Sequence, residues 1–288
     1  MNAKQLEVKL QEVYKLAGMS RQYYHKAILK QHRDEVMWER ILEMVIEFRG
    51  EYPRSSARKI HHYLRIKEVG INRFEAFVSA QGLSVKRRRS FIKTTRPGLT
   101  QYPNLVNGLE IDGINQLWVS DLTYFITPTV TLYIVLILDV YSRRIIGYSA
   151  SDNIMVVNNQ KALLMAFNLR KKCCYENLIH HSDKGSQYDA FVYKKMLTDA
   201  GIEISMAKIC LENPYAERIN GIIKNDYLVA YSINTLADLK KALPKAVRSY
   251  NNYPHGNLRK QSPIEFEESL RQTQGQKGEI MKLYDFEK

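Results

Sequence analysis

Near residue 115 the hydrophobic pattern changes period, and that change decides what the chain can fold into. Upstream, apolar residues recur at helical spacing between short turns. Downstream, residues 117–126 and 131–139 are dense in β-branched and aromatic side chains, parted by Thr127-Pro-Thr, and residues 143–149 follow the turn Val140-Tyr-Ser142. These segments predict a three-stranded meander. After it, residues 158–169 read as a helix on Ala162, Leu163, Leu164 and Phe167. A short strand at 178–181, a helix at 191–200, a strand at 202–205 and two longer helices at about 214–230 and 236–250 complete the series.

The order βββαβαβα is that of an α/β ribonuclease-H-like core, a mixed five-stranded sheet flanked by helices. The 288 residues, 45% hydrophobic and 25% charged, suffice for a buried core and two folding units. The expected layout is an N-terminal helical segment (1–35), a helical DNA-binding domain (36–85), a basic linker (86–110), the core (111–270) and a C-terminal tail (271–288). In the first segment Gly18-Met-Ser20 supplies a turn, with Ser20 the N-cap of a helix over 21–31, so that a helix-turn-helix fits there. Residues 36–48, 55–65 and 72–81 are the next three helices. The last two, joined through Gly70, match a helix-turn-helix whose second helix enters the major groove with Asn72 and Arg73 leading; an ordinary small helical bundle fits the same pattern.

The net charge is +13, which favours a polyanionic partner. Residues 1–100 hold 21 Lys and Arg against 10 Asp and Glu, a surplus of 11, whereas residues 101–288 hold 22 against 20. Lys86, Arg87, Arg88 and Arg89 open the linker, and phosphate contact is weighed there against a merely solvated charge run. Three cysteines without a spaced pair support neither a disulfide framework nor a zinc module. No apolar stretch is long enough to span a bilayer, and a cytoplasmic protein without membrane association is expected.

Three acidic residues stand in distinctive settings: Asp121 in Trp118-Val-Ser-Asp-Leu-Thr-Tyr124, Asp183 in His180-His-Ser-Asp-Lys-Gly-Ser-Gln-Tyr188, and Glu217 in Glu212-Asn-Pro-Tyr-Ala-Glu-Arg218. Aspartate is depleted in strands, so Asp121 asks for a reason. Taken singly, a strand-end salt bridge, a turn residue and an exposed helical glutamate would explain them. In the inferred topology the first and fourth strands are neighbours and a helix crosses the same edge, which brings the three acids together. Such a cluster suits hard Mg²⁺ ions and phosphate oxygens.

Residues 115–228 resemble the catalytic core of bacterial insertion-sequence transposases of the retroviral-integrase superfamily, of the catalytic open-reading-frame-B type. The matching stretches include Trp118-x-x-Asp121-x-Thr-Tyr124, Asp139-x-x-Ser-Arg143-x-Ile-x-Gly147, His181-Ser-Asp183-x-Gly-Ser-Gln-Tyr188 and Glu212-Asn213-x-x-Ala-Glu217-Arg-x-Asn-Gly-x-x-Lys224, extended by Asn251-Asn-Tyr-Pro-His and Ser262-Pro-x-x-Phe266. Residues 38–96 resemble the family's upstream helical domain more weakly. The 33 residues between Asp183 and Glu217 are fewer than the family's usual interval, and Glu212 stands where many members carry aspartate.

The resemblance implies that Asp121, Asp183 and Glu217 hold two Mg²⁺ ions, with Mn²⁺ an acceptable substitute. It further implies binding of the element's terminal inverted repeats, cleavage that frees a 3′-OH, strand transfer into target DNA, a dimer or larger assembly on DNA, and an upstream OrfA-type subunit or frameshift fusion as partner. Lys224, two helical turns beyond Glu217, is placed to hold a phosphate. Arg218, Asn220, Lys184 and Gln187 are further DNA-side candidates, and His181 either contacts the phosphate or is a satisfied core histidine. A catalytically silent DNA-binding regulator and a structure-specific nuclease are the alternative readings.

Overall fold

A computed structural model of the chain describes Tyr14 and residues 18–85, 102–171, 175–272 and 278–283. The basic run Lys86-Arg87-Arg88-Arg89 lies outside the described residues. The chain forms two compact units, one made by the helices up to residue 84 and one by residues 102 onward together with Tyr52–Ser56.

The first unit contains α1 (Arg21–Glu51), α2 (Ala57–Tyr63) and α3 (Ile71–Ala80). Ser20 is the predicted cap: its Oγ accepts the Tyr23 N–H at 3.2 Å. The two helices expected at 21–31 and 36–48 are one continuous helix, because Gln31-His-Arg-Asp-Glu-Val36 contains no residue that breaks one. The expected boundary at residue 35 therefore falls inside a helix. Ile41, Val45 and Phe48 on α1, Ile60 on α2 and Phe74 and Val78 on α3 form the core of this unit. Trp38 stacks on Phe77 with ring centroids 4.1 Å apart.

The second unit contains β1 (Glu110–Ile111), β2 (Leu117–Ile126), β3 (Thr131–Asp139), β4 (Ile145–Ser151), α4 (Val156–Arg170), β5 (Ile179–Ser182), α5 (Ser186–Asp189), α6 (Phe191–Asp199), β6 (Glu203–Met206), α7 (Pro214–Ile222), α8 (Leu236–Asn251), α9 (Pro263–Gln272) and β7 (Met281–Lys282). The main sheet runs β4-β3-β2-β5-β6. The meander β2-β3-β4 is antiparallel, while β5 and β6 are parallel to β2. This is the ribonuclease-H-like arrangement.

Alternation along β2 sorts its side chains onto two faces. Trp118 and Leu122 enter the apolar cluster that α4, α5 and α6 complete through Ala162, Leu163, Tyr188, Tyr193 and Leu197. Helix α7 lies against β2 and β3. Gly147 permits the close approach of β4 to α4, since a Cβ there would sit 2.1 Å from the Ala162 carbonyl oxygen.

Both expected core boundaries move outward. Residues 102–110 belong to the core: the Leu105 N–H donates to Ser205 Oγ at 2.9 Å, and Asn104 donates to Glu212 at 2.9 Å. At the other end β7 pairs antiparallel with β1, which turns part of the expected tail into a strap across the start of the domain. Strand β4 begins at Ile145 because Arg143 occupies the left-handed region at φ 60° within the turn.

Candidate active site

Strands β2 and β5 are parallel neighbours in the register Ser120↔Ser182. Asp121 and Asp183 are the next residue on each chain, so the pairing brings the two carboxylates to adjoining positions. Burial pushes the Asp121 carboxyl up to about 8; the Asp183 charge adds to the rise, the Leu122 N–H and Asn220 side chain oppose it, and Glu217 contributes a smaller upward push. Asp183 is raised as well, by burial against the opposing N–H of Gly185, which donates to its Oδ1 at 3.1 Å. Among the described residues neither aspartate forms an ion pair.

Helix α7 starts at Asn213-Pro214, with proline at its first position, where no N–H is needed. Three side chains fasten it and the following turn to β2. Asn213 Nδ2 donates to the Ser120 carbonyl at 3.1 Å, Asn220 Nδ2 to Asp121 Oδ2 at 2.8 Å, and Lys224 Nζ to Thr123 Oγ1 at 2.7 Å. Glu217 lies four residues after Asn213 and three before Asn220, hence on the clamped side of the helix, with its side chain exposed. The helix expected to continue to residue 230 changes to a π-helical turn at Ile223–Tyr227 and a 3₁₀ turn at Leu228–Ala230. Lys224 sits in the π turn, 5.1 Å from the Tyr124 ring centroid; burial lowers its ammonium pKa against the opposing pull of Asp121.

The other expected site residues divide. Asn220 is 4% exposed and serves Asp121 as a donor. His181 is 1% exposed, with Nδ1 2.8 Å from Ser205 Oγ and Nε2 3.1 Å from the Glu212 carbonyl, so the structure makes it a satisfied core histidine. Burial drives its pKa down to about 4. Arg218 is exposed, and Lys184 and Gln187 are half-buried around the Gly185 turn. Asn72 and Arg73 belong to the other unit, at the exposed start of α3, where Arg73 pairs with Asp34 at 3.6 Å and lies 5.4 Å from the Trp38 ring centroid. Sequence reasoning assigned no role to Asn213 and Tyr188, which it met only as members of the matching stretches, or to Ser120; their contacts between distant elements have no local signature.

Among the described residues no three His, Cys, Asp or Glu side chains are close enough to hold one ion together. The arrangement is an adjoining aspartate pair with a third acid on the helix beside it. Its chemistry nevertheless fits a divalent cation: the donors are hard oxygens, and two carboxyls whose charged forms burial disfavours, that of Asp121 further through the Asp183 charge, gain from a positive charge between them.

An integrase core domain family model matches residues 112–209, and a second model of the same description matches residues 200–263. The insertion element IS600 uncharacterized 31 kDa protein of Shigella sonnei is 33% identical over 211 residues, 71% of this chain and 77% of its own length. The putative transposase InsK for insertion sequence element IS150 of Escherichia coli (strain K12) is 28% identical over 269 residues, 89% of this chain and 93% of its own. The transposase for insertion sequence element IS904 of Lactococcus lactis is 29% identical over 242 residues, 81% of this chain and 94% of its own. Among solved structures, the HTLV-2 integrase catalytic core domain in complex with magnesium covers 57% of this chain and 99% of its own at 20% identity, with a TM-score of 0.43.

Proposed function

This chain belongs to the bacterial insertion-sequence transposases of the integrase superfamily, proteins of DNA transposition and integration, and we propose that it cleaves its element's ends and joins them to target DNA with Asp121, Asp183 and Glu217 as the metal-holding carboxylates. The observation that carries this reading is that Asp121, on β2, and Asp183, just past the end of the parallel β5, stand at adjoining positions, with the Asp121 carboxyl pushed up to about 8.

Asp121 and Asp183 would hold the ions from the strand side and Glu217 from the helix side. A pair of Mg²⁺ ions, when bound, supplies Lewis-acid charge for an in-line displacement at phosphorus. Asn220 orients the Asp121 carboxylate by donating to its Oδ2. Lys224, with its Nζ on Thr123 beside Asp121, is placed to hold a non-bridging phosphate oxygen. Water is the incoming nucleophile in end cleavage, which frees a 3′-OH; that hydroxyl attacks a second phosphodiester in strand transfer. One pocket serves both steps because only the incoming oxygen differs. The exposed α3 start and the basic linker are the proposed DNA-side surfaces of the N-terminal part, and terminal inverted repeats, target DNA, a second copy and an upstream subunit are the proposed partners.

The test is an Mg²⁺-dependent cleavage and strand-transfer assay on DNA carrying the element's own ends, with Glu217→Gln alongside. Joined products that vanish in the variant are expected. Binding without joining, with an upstream fusion supplied, would replace this reading with that of a regulator.

A further inference from the structure

On the face of β2 opposite Asp121, a buried polar chain links the two carboxylate-bearing segments. Ser120 Oγ donates to the Leu136 carbonyl at 3.1 Å and lies 2.8 Å from Tyr188 Oη. A serine hydroxyl has one proton, and the carbonyl can only accept, so Tyr188 is the donor to Ser120. Both residues are 1% exposed or less. Tyr188 closes the turn that begins at Asp183: the Gly185 N–H donates to Asp183 Oδ1 at 3.1 Å, and the Gly185 carbonyl accepts the Tyr188 N–H at 2.9 Å. Hydrogen bonds and the Gly185 backbone thus connect the Asp183 carboxylate, through Tyr188, to the residue that immediately precedes Asp121.

The tyrosine is itself held. Its ring meets Tyr193 edge-on with centroids 5.5 Å apart, and Tyr193 Oη lies 3.1 Å from His180 Nε2. A Cβ at Gly185 would stand 3.0 Å from Asp183 Oδ1, so the turn is tight as well as bonded.

We propose that Tyr188 is a positioning residue for the carboxylate pair: its hydroxyl, through Ser120, sets the separation of Asp121 and Asp183 and so the affinity for divalent cation. This rests on the reading of that pair as a metal site. Burial, then Tyr193 and the charges of Asp121 and Asp183, raise the Tyr188 hydroxyl well above its ordinary range. Partners behind metal ligands commonly change metal affinity by roughly 10–100-fold when lost.

The experiment titrates the full chain with Mn²⁺ and follows loss of the free-ion resonance, for the wild type, Tyr188→Phe, Ser120→Ala, the double variant and Asp121→Asn. Tyr188→Phe should weaken Mn²⁺ binding about tenfold while circular dichroism shows a folded chain. The double variant should bind no more weakly than the worse single, because both singles already remove the Tyr188–Ser120 bond. A folded Tyr188→Phe with wild-type Mn²⁺ affinity, whatever its melting temperature, overturns the positioning role. If Tyr188→Phe does not fold, Ser120→Ala removes the same bond with a smaller change and decides the question by the same criterion. Wild-type uptake that Asp121→Asn leaves intact overturns the metal reading itself, and this inference with it.

Discussion

The core domain contains two pairs of acidic side chains at its sheet, and it treats them in opposite ways. Asp139 and Glu267 are buried and paired with guanidinium groups, although burial still raises the Asp139 carboxyl against the pull of Arg170. Arg170 Nη1 and Nη2 donate to the two Glu267 oxygens at 2.8 and 2.7 Å, and Nη2 also reaches Asp139 at 3.1 Å. Arg144 adds a bond to Glu267 at 2.6 Å, Ser142 Oγ another at 2.8 Å, and the Asn115 and Ser142 N–H groups take the remaining Asp139 positions. Asp121 and Asp183 have N–H donors but, among the described residues, no ion pair. Permanent cations bind C-terminal helix α9 to the sheet, whereas the candidate site leaves its charge deficit open. A closed cluster stabilises the fold, and an open one is able to exchange a cation.

The largest effect that separates the two is on activity. Asp121→Asn should reduce end cleavage and joining by more than the roughly 10–100-fold associated with outer-shell residues, while the urea midpoint holds or rises because a poorly neutralised carboxylate has been removed. Activity in a folded Asp121→Asn chain would sink the contrast at its functional end. The converse change is Arg170→Met, which strands Asp139 and Glu267 without a guanidinium. It should cost about 3–5 kcal/mol in denaturant unfolding, and an unchanged midpoint would show the cluster to be dispensable.

The pH dependence sharpens the comparison further. The folded Asp121 carboxyl, at about 8, keeps a proton that the unfolded chain gives up near its ordinary 3.8, so the metal-free native state binds more protons across that window. Stability from this group therefore falls as pH rises from about 4 to about 8. Glu267 has the opposite sign: although burial pushes its carboxyl up, Arg170, Arg144 and Ser142 hold it below the usual range, and its contribution is lost as pH falls through the folded value. Urea midpoints should decline between about pH 4 and pH 8 without Mg²⁺, flatten with it, and decline less in Asp121→Asn, where the raised carboxyls of Asp183 and Asp139 remain. A decline undiminished in the variant would assign it to another group.

The two clusters also differ in how far the sequence revealed them. The strands at 117–126 and 131–139 were legible to the residue because β-branched and aromatic density changes sharply at both ends of each. Asp121 and Asp183 were legible because a charged residue in or beside an apolar strand needs a reason. The closed cluster was not: Arg170 and Glu267 are 97 residues apart, and neither belongs to a pattern that singles it out. Asp139 stands just before the turn Val140-Tyr-Ser142 and accepts the Ser142 N–H at 3.2 Å, as that place suggests, but nothing local foretold its guanidinium. The β1–β7 strap was likewise hidden, since two-residue strands have no periodicity. The π turn was hidden because residues 214–230 keep an unbroken helical pattern up to the point where Lys224 is redirected toward Thr123.

The smallest effect concerns whether Lys224 makes the open site secretly closed. It is the ammonium whose charge reaches Asp121, and if it served as a fixed counter-ion its loss would resemble that of Arg170. Two observations say otherwise: its Nζ bonds to Thr123 and not to the carboxylate, and its pKa is lowered, so burial outweighs the pull of Asp121. Lys224→Gln retains an amide that can donate to Thr123 and should cost no more than about 1 kcal/mol of stability. Its effect should instead appear as weaker DNA binding and a shallower dependence of that binding on salt, the sign of one lost phosphate contact. A destabilisation as large as that of Arg170→Met, with salt dependence unchanged, would make Lys224 the site's resident cation and erase the distinction between the two clusters.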